Sequence, residues 1–487
     1  MRENTENKTY INNRQLRLKK IFRRTVIALI AFLFVYCFLI AFPYAGPLRI
    51  SDELRDSFNM DNFFGEEHIP EQVMILEDAR ESFYHRLNII DRAQEEIFFV
   101  TFITHDGLSE DVFFAALLKA ADRGVRVNLI LDGRAGVPDG RIINAAQTHP
   151  NVYYFVFNPI NLFRPHYINY SLHDKFLIVD NTYMITGGRN MGDRYFDIEG
   201  WGRNYFHDRD VLVYNTDPST YGSIRESVEY CYRLMNIHYA QLRRQTSNRQ
   251  IRRGREAKYE LFAIYEDFIR GKPYIFDFDY SELTIPVYNI TLLANPIYGT
   301  KKEPVIAFNF FMMAMNSNRI IMQSPYFIFT NRNLEYVRQV ANHADEFVLF
   351  TDSKATNDYG FGFVGYRANR RNLVRTGLTI YERQYVDNHS FHHKTYLFGD
   401  RLTAIGSFNM DERSARISTE TMLVIDSPEI FDIVYAYITA NREISLQVGF
   451  DNRLILCGTI EPAHVSWGKR AYYHMMGFLL KPFRFLL

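Results

Sequence analysis

The sequence predicts an α/β protein of two similar lobes packed face to face, preceded by one N-terminal transmembrane helix. Three observations predict it: an uncharged apolar run near the start, an alternation of strands and helices that returns in the second half, and one dense polar motif in each half. They divide the 487 residues into a basic tail and transmembrane helix over 1–47, a first lobe with a basic connector over 48–288, a second lobe over 289–460, and an amphipathic tail over 461–487.

The apolar run over 25–42 carries no charge, and the uncharged stretch continues to Leu48. At 1.5 Å per helical residue it extends roughly 27 Å or more, enough to cross a bilayer. Arg14, Arg17, Lys19, Lys20, Arg23 and Arg24 precede it, whereas only Arg49 follows closely. The positive-inside rule then puts the N-terminus in the cytoplasm and the bulk of the chain outside. A cleaved signal peptide ending near Ala45 is the alternative, but the run is long for an h-region.

Residues 48–74 read as an acidic linker. Residues 75–93 read as an amphipathic helix with Ala79, Phe83, Leu87 and Ile90 on one side. Residues 95–104 read as a buried strand, 111–124 as a helix stopped by Gly124, and 125–133 and 151–159 as two further strands. The order returns later, with a helix over 303–316, extended chain over 318–329, a helix over 333–343 and a strand over 346–353. Between the halves, 243–258 is a basic connector, either a solvated helix or loop or a patch drawn to anionic headgroups.

Composition narrows the function classes. Hydrophobic residues are 47% and charged residues 23%, which fits a folded globular chain and not a disordered one. Lys+Arg and Asp+Glu are both 56, so a strongly basic nucleic-acid binder is disfavoured. Aromatic residues reach 16%, which suits a membrane surface or large β-rich cores. Cys37, Cys231 and Cys457 form no CxxC pair, and they are too few for a disulfide framework.

The chemistry concentrates in residues 171–197 and 390–414. Counting from His173 and His392, a Lys follows at +2 (Lys175, Lys394), a Gly at +14 (Gly187, Gly406) and an Asn at +17 (Asn190, Asn409). His and Lys two residues apart on a strand share one face. An apolar stretch, a turn and a second strand ending at Gly-x-x-Asn would bring all three side chains to one point. Two facing lobes supply two imidazoles, two ammonium groups and two amides. That set suits a phosphodiester, with Lys and Asn on the non-bridging oxygens, one His attacking phosphorus and the other protonating the leaving oxygen.

These motifs, HxKxxxxD…GGxN and HxK…GSxN, resemble those of the phospholipase D superfamily, and the flanks GGRNMGDRYFD and GSFNMDERSA resemble bacterial cardiolipin synthases. The resemblance runs from about Ile75 to Asp451. It implies two α/β lobes with the active site at their interface, a covalent phosphohistidine, and no cofactor or obligatory metal. It also implies a carboxylate orienting each histidine: Glu420 at Asn+11 in the second lobe, and Asp208, with Asp210 a close rival, in the first.

Two departures from the family pattern stand out. The family's Asp at His+7 is Asp180 in the first lobe, but Gly399 holds that position in the second, followed by Asp400. Both aspartates read as turn residues and join the catalytic set only because the family motif includes them. The family's Ser before x-Asn is Ser407 in the second lobe and Gly188 in the first. This leaves more room beside His173 for a bulky phosphatidyl group and lets the Ser407 hydroxyl support His392 or a phosphate oxygen. The expected set is therefore His173, Lys175, Asp180, His392, Lys394 and Asp400 as catalytic, with Asn190, Ser407, Asn409, Asp208 and Glu420 about the substrate.

Lesser candidates keep bland readings. His389, His392 and His393 form an HxxHH cluster, but Lys394 would repel a cation and no further ligand has zinc spacing; His389 and His393 read as rim residues. Arg164 and His166 could meet a headgroup or belong to a loop, and 324–327 reads as core. The tail over 467–487 is too interrupted by charge to span, and lies on the bilayer or docks on the core. The resemblance and the span together imply a membrane-anchored phosphatidyltransferase making cardiolipin from phosphatidylglycerol and a second phospholipid, with phosphatidylethanolamine as a further possible donor. The partners expected are phospholipids and the membrane, not nucleic acid. A lipid hydrolase or nuclease shares the motif. A scaffold with a decayed site is disfavoured by retention of both HxK pairs and both Asn.

Overall fold

The computed structural model describes residues 2–486 apart from 47–48, 199–204, 298, 300–301, 329–332, 356–359, 385–388 and 457–459; Cys457 lies outside the described residues. Two nine-stranded mixed sheets form its centre. The first runs, edge to edge, through Ile285–Pro286, Glu71–Leu76, Asp210–Asn215, Tyr183–Gly187, Phe176–Val179, Glu96–Thr101, Arg126–Asp132, Val152–Phe157 and Ala240–Arg243. The second runs through Asn289–Ala294, Thr421–Asp426, Leu402–Gly406, Thr395–Phe398, Arg319–Gln323, Glu346–Asp352, Thr379–Arg383, Ser445–Val448 and Leu454–Ile455. In each, three parallel strands are joined to an antiparallel meander. The repeat expected from the element order is thus a repeat of topology.

The sheets face each other across one shared core. Val73, Phe98, Val100, Ile178 and Val211 of the first sheet join Ile321, Val348, Leu397, Ile405 and Leu423 of the second in a single buried cluster. Each sheet's other face is covered by helices around its own apolar cluster. Strands buried on both faces explain the near-continuous apolar runs in the sequence.

Three boundaries differ from expectation. The segment 75–93 is not one helix: Glu71–Leu76 is a strand, and the helix is Ala79–Arg92. Asp78 separates them as N-cap, accepting from Glu81 N at 2.9 Å. The acidic stretch before it is more ordered than a linker, with a short helix at Asp52–Ser57 and a 3₁₀ turn at Met60–Phe63. The basic connector is largely the helix Asn248–Ile269, whose Ala257, Leu261, Tyr265 and Phe268 are buried while Arg252, Arg253 and Arg255 face solvent. Gly254 lets this helix approach its neighbour, since a Cβ there would lie 2.0 Å from Thr148 Oγ1.

At the N-terminus, Arg2–Ala41 is one continuous helix. Residues 17–44 are long and apolar enough to cross a membrane, and only 6% of that stretch's most apolar window is buried against the protein. At the C-terminus, the helix Trp467–Leu479 docks on the second lobe by one face and leaves apolar side chains exposed on another. Tyr473 is buried, its ring 5.0 Å from that of Phe363, while Trp467 and Phe478 are 84% and 81% exposed.

Candidate active site

Each HxK pair sits on extended chain just ahead of the first strand of a hairpin, Phe176–Val179 with Tyr183–Gly187 and Thr395–Phe398 with Leu402–Gly406. Both hairpins close with three residues, 180–182 and 399–401. Equal loops keep the later Gly and Asn in register although the aspartate has moved by one.

The lobes are stitched together beside each histidine. Leu172 bridges Thr419, and His389–Phe391 pairs in parallel with Tyr205–His207. His173 N donates to Thr419 Oγ1 at 3.0 Å, and His392 N donates to the His207 carbonyl at 2.8 Å. The orienting carboxylates therefore cross between lobes. Glu420 of the second lobe lies 2.9 Å from His173 Nδ1 of the first, and Asp208 of the first lies 2.6 Å from His392 Nδ1 of the second. Lys175 Nζ donates to the His173 carbonyl and Lys394 Nζ to the His392 carbonyl, both at 2.6 Å. Lys394 also stands 3.8 Å from Asp208. Asp210, the rival of Asp208, turns away to Arg86 and Arg189 at 3.0 and 3.1 Å.

The crossing changes the meaning of the Gly188/Ser407 asymmetry. Ser407 Oγ donates to Glu420 Oε2 at 2.5 Å, so its hydroxyl supports the carboxylate of His173, not His392. The room beside Gly188 is filled by Asp208, since a Cβ there would stand 2.1 Å from Asp208 Oδ1. The glycine thus admits a short carboxylate to His392; it does not enlarge the space next to His173.

Electrostatics separate the two halves further. Burial lowers His173 well below the ordinary imidazole value, and Lys175 and Lys394 lower it again. Burial brings Lys175 down to about 8 against the opposing pull of Glu420. Burial also raises Glu420 to about 7, although Lys175 and Ser407 act the other way. Asp208 differs: burial raises it, but Lys394 and His392 outweigh that and hold it below the usual carboxylate range. One imidazole is thus kept neutral, and the other faces a fixed anion.

Asn190 and Asn409 each lie three residues beyond the end of the second strand of a hairpin. Asn190 accepts from Ile103 N at 3.3 Å and donates to Tyr195 OH at 3.0 Å. Asn409 Oδ1 is buried without a hydrogen-bond partner among the described residues. Residues not singled out in the sequence complete the walls. The Phe102 ring lies 5.0 Å from that of His173, and the Phe206 ring 5.3 Å from that of His392. Tyr195 was visible as an aromatic five residues after Asn190. Phe102 carried no signal beyond its place at a strand end.

Asp180 and Asp400, expected among the catalytic residues through the family motif, are not brought to this cluster. Both lie in the turns at the far ends of the strands from the HxK pairs. Asp180 adopts φ 53° and accepts from the backbone N–H groups of Gln94, Glu95 and Glu96 at 2.6, 2.9 and 2.8 Å. Gly399 occupies the matching turn position with φ 68°, and Asp400 is exposed. Asp180→Ala should cost about 1–3 kcal/mol in unfolding free energy by leaving those donors without their acceptor, with kcat nearly unchanged. Asp400→Ala should stay within about 0.5 kcal/mol. Thermal unfolding beside initial rates checks both; a large kcat loss with unchanged stability would return Asp180 to the chemistry.

The HxxHH residues part company. His392 meets Asp208, and His393, expected at the rim, is buried, with Nε2 3.2 Å from Glu77. His389 packs its ring 4.7 Å from Tyr205. Among the described residues, no three His, Cys, Asp or Glu side chains group as metal ligands. Glu77 also holds Arg209 at 2.6 Å, and Arg209 reaches across to Gln323 and Thr395 at 2.7 and 3.0 Å, bracing the lobes behind Asp208. Ser324 is core, accepting from Met410 N at 3.1 Å. Arg164 and His166 belong to an exposed loop and a 3₁₀ turn.

A family model described as cardiolipin synthase, PLD-like domain, matches residues 87–217 and 312–440, once in each lobe and together more than half of the chain. A Helicobacter pylori (strain ATCC 700392 / 26695) protein described as uncharacterized is 28% identical over 395 residues, 73% of this chain and 76% of its own. Cardiolipin synthase C of Escherichia coli (strain K12) is 27% identical over 394 residues, 74% of this chain and 82% of its own. The crystal structure of phosphatidylserine synthase from Haemophilus influenzae Rd KW20 superposes with a TM-score of 0.61 at 14% identity, over 85% of this chain and 95% of that one. At that identity the likeness is one of fold.

Proposed function

The chain belongs to the cardiolipin synthase, phospholipase D-like domain family, and from that premise we propose that it is a membrane-anchored phosphatidyltransferase that makes cardiolipin. The observation that carries this reading is the crossed pair of His–carboxylate contacts around two buried lysines, between lobes that each match the family. Relatives named as cardiolipin synthases support the lipid substrate class.

With Nδ1 of His173 engaged by Glu420, Nε2 is the nitrogen that attacks the phosphorus of a first phosphatidylglycerol. A P–N bond forms, the P–O bond to the headgroup glycerol breaks, and His392 gives the leaving oxygen its proton. Phosphatidyl-His173 then meets the terminal hydroxyl of a second phosphatidylglycerol. His392 takes that hydroxyl's proton, the new P–O bond forms and the P–N bond breaks, releasing cardiolipin. Lys175, Lys394, Asn190 and Asn409 hold the non-bridging oxygens, where negative charge builds up as the pentacovalent state forms. Neutral His173 suits the nucleophile, and the anionic Asp208 suits an acid at His392.

The decisive experiment gives the full chain, in vesicles, labelled phosphatidylglycerol with and without phosphatidylethanolamine. Cardiolipin should appear with release of glycerol, or of ethanolamine where the second lipid is the donor. Phosphatidate alone would replace the transferase by a hydrolase. Untouched lipid with cleaved DNA would make it a nuclease.

The span over 25–42, with its basic N-terminal flank, supports a cytoplasmic N-terminus and an extracytoplasmic catalytic part. Protease added to intact spheroplasts should digest the portion after residue 48. Its full protection there, with digestion after lysis, would reverse the orientation.

A further inference from the structure

The loop 159–163, Pro-Ile-Asn-Leu-Phe, carries no charge, yet Ile160, Leu162 and Phe163 are 62%, 65% and 97% exposed. Three neighbouring large apolar side chains turned to solvent mark a contact surface, not a core element. The loop does not stand alone. Tyr36 OH, from within the apolar run of the N-terminal helix, donates to the Leu162 carbonyl at 2.9 Å. Asn169 Nδ2 donates to the Ile40 carbonyl at 3.0 Å, and Tyr44 OH donates to the His166 carbonyl at 2.6 Å.

We propose that residues 159–163 form a second membrane contact, inserted into the boundary between headgroups and acyl chains beside the spanning helix. The proposal rests on the reading of 25–42 as a span. Tyr36 lies six residues inside Phe42, about 9 Å down the helix axis at 1.5 Å per residue. Leu162 is therefore fixed at a depth within the apolar run, not above it. Backbone entering lipid needs partners for its polar groups, and three of those in this turn have them. Leu162 O accepts from Tyr36, Phe163 N donates to Asn161 Oδ1 at 2.9 Å, and Arg164 N donates to the Asn161 carbonyl at 3.0 Å. Arg164, exposed and next in sequence, places a cation where lipid phosphates lie.

The contact leads directly to the chemistry. The 3₁₀ turn Pro165–Asn169 follows the loop, and Asn169 stands four residues before His173. Arg413 ties this turn to the second lobe, donating to the Asn169 carbonyl at 2.6 Å and to Ser171 Oγ at 2.9 Å. Arg416, which shares the short helix Glu412–Arg416 with Arg413, donates to the Tyr44 and Gly46 carbonyls at 3.0 and 2.7 Å. The loop, the helix end and the His173 segment thus form one braced unit, which sets the cleft at the height of lipid phosphates.

The test places a nitrobenzoxadiazole label on Phe163→Cys in the full chain, with Cys37→Ser and Cys457→Ser; Cys231 is buried. Two companion proteins carry the label on native Cys37 or on Tyr259→Cys, an exposed site on the first lobe. All are placed in vesicles of phosphatidylglycerol and phosphatidylcholine containing a lipid with a nitroxide near the carbonyl end of its chain. The 163 label should be quenched by the nitroxide lipid several-fold more than the 259 label, and shielded from aqueous iodide. A Cys37 label quenched by lipid beside a 163 label as open to iodide as that at 259 would overturn the loop contact and leave the span standing. A Cys37 label in water would remove both.

Discussion

In the His173→Asn protein, no phosphatidyl adduct should form with any donor, whereas His392→Asn should still trap one on His173 when the donor carries a good leaving group. The asymmetry follows from where the protons are. His173 is held neutral by burial and by the two lysines, so its Nε2 lone pair is available for attack. His392 faces a carboxylate that stays ionised, an arrangement suited to the acid that the departing alkoxide needs in the proposed reaction. With glycerol as leaving group, loss of that acid should slow turnover on the order of 10²–10⁴. A nitrophenyl ester of phosphatidate needs little acid help, so the first step survives in His392→Asn. The second step, which needs a base on the incoming hydroxyl, does not, and the adduct accumulates. Mass spectrometry of digests kept from acid, after a short reaction, reads the modified peptide. An adduct on the 392-containing peptide in His173→Asn, with none on the 173-containing peptide in His392→Asn, would reverse the roles.

The hairpin was legible because its chemistry and its architecture share one spacing. His, Lys, Gly and Asn at 0, +2, +14 and +17 occur twice, and such a repeat needs a repeated backbone. The two-lobed fold followed from the same repetition. What sequence spacing does not encode is which lobe supplies each carboxylate's partner. Asp208 and Glu420 were identified, but their crossing to His392 and His173 arises from docking two sheets, a contact between segments some 180–250 residues apart. The misreading of Ser407 as a support for His392 had that cause. Glu71–Leu76 was hidden for a local reason. Its apolar residues run into those of the following helix, and only the capping role of Asp78 marks the break. His393 looked like a rim residue because its partner, Glu77, lies over 300 positions away in the chain.

The crossed carboxylates should also differ in how their loss depends on pH. Asp208→Asn removes the anion that both His392 and Lys394 face, leaving a buried ammonium group and the imidazole beside it without that partner. Turnover should fall on the order of 10²–10⁴, since the acid loses its charge partner and its fixed orientation. Asp208 is held below the usual carboxylate range, so it is ionised throughout pH 5–8. The ratio of parent to Asp208→Asn rates should therefore be nearly flat across that window. Glu420 sits at about 7, because burial opposes its charge more than Lys175 and Ser407 favour it. Below that value the parent carries mainly the neutral carboxyl, which an amide resembles; above it the parent carries the anion, which an amide does not. The cost of Glu420→Gln should then be small at pH 5.5, on the order of a few-fold, should rise by roughly 10-fold per pH unit at most as the pH approaches 7, and should level off above it. Initial rates of both variants against the parent, in the same vesicles over pH 5.5–8.5, measure the two ratios. Two parallel, pH-independent losses would mean that Glu420 is as firmly ionised as Asp208, and that the asymmetry between the histidines lies elsewhere.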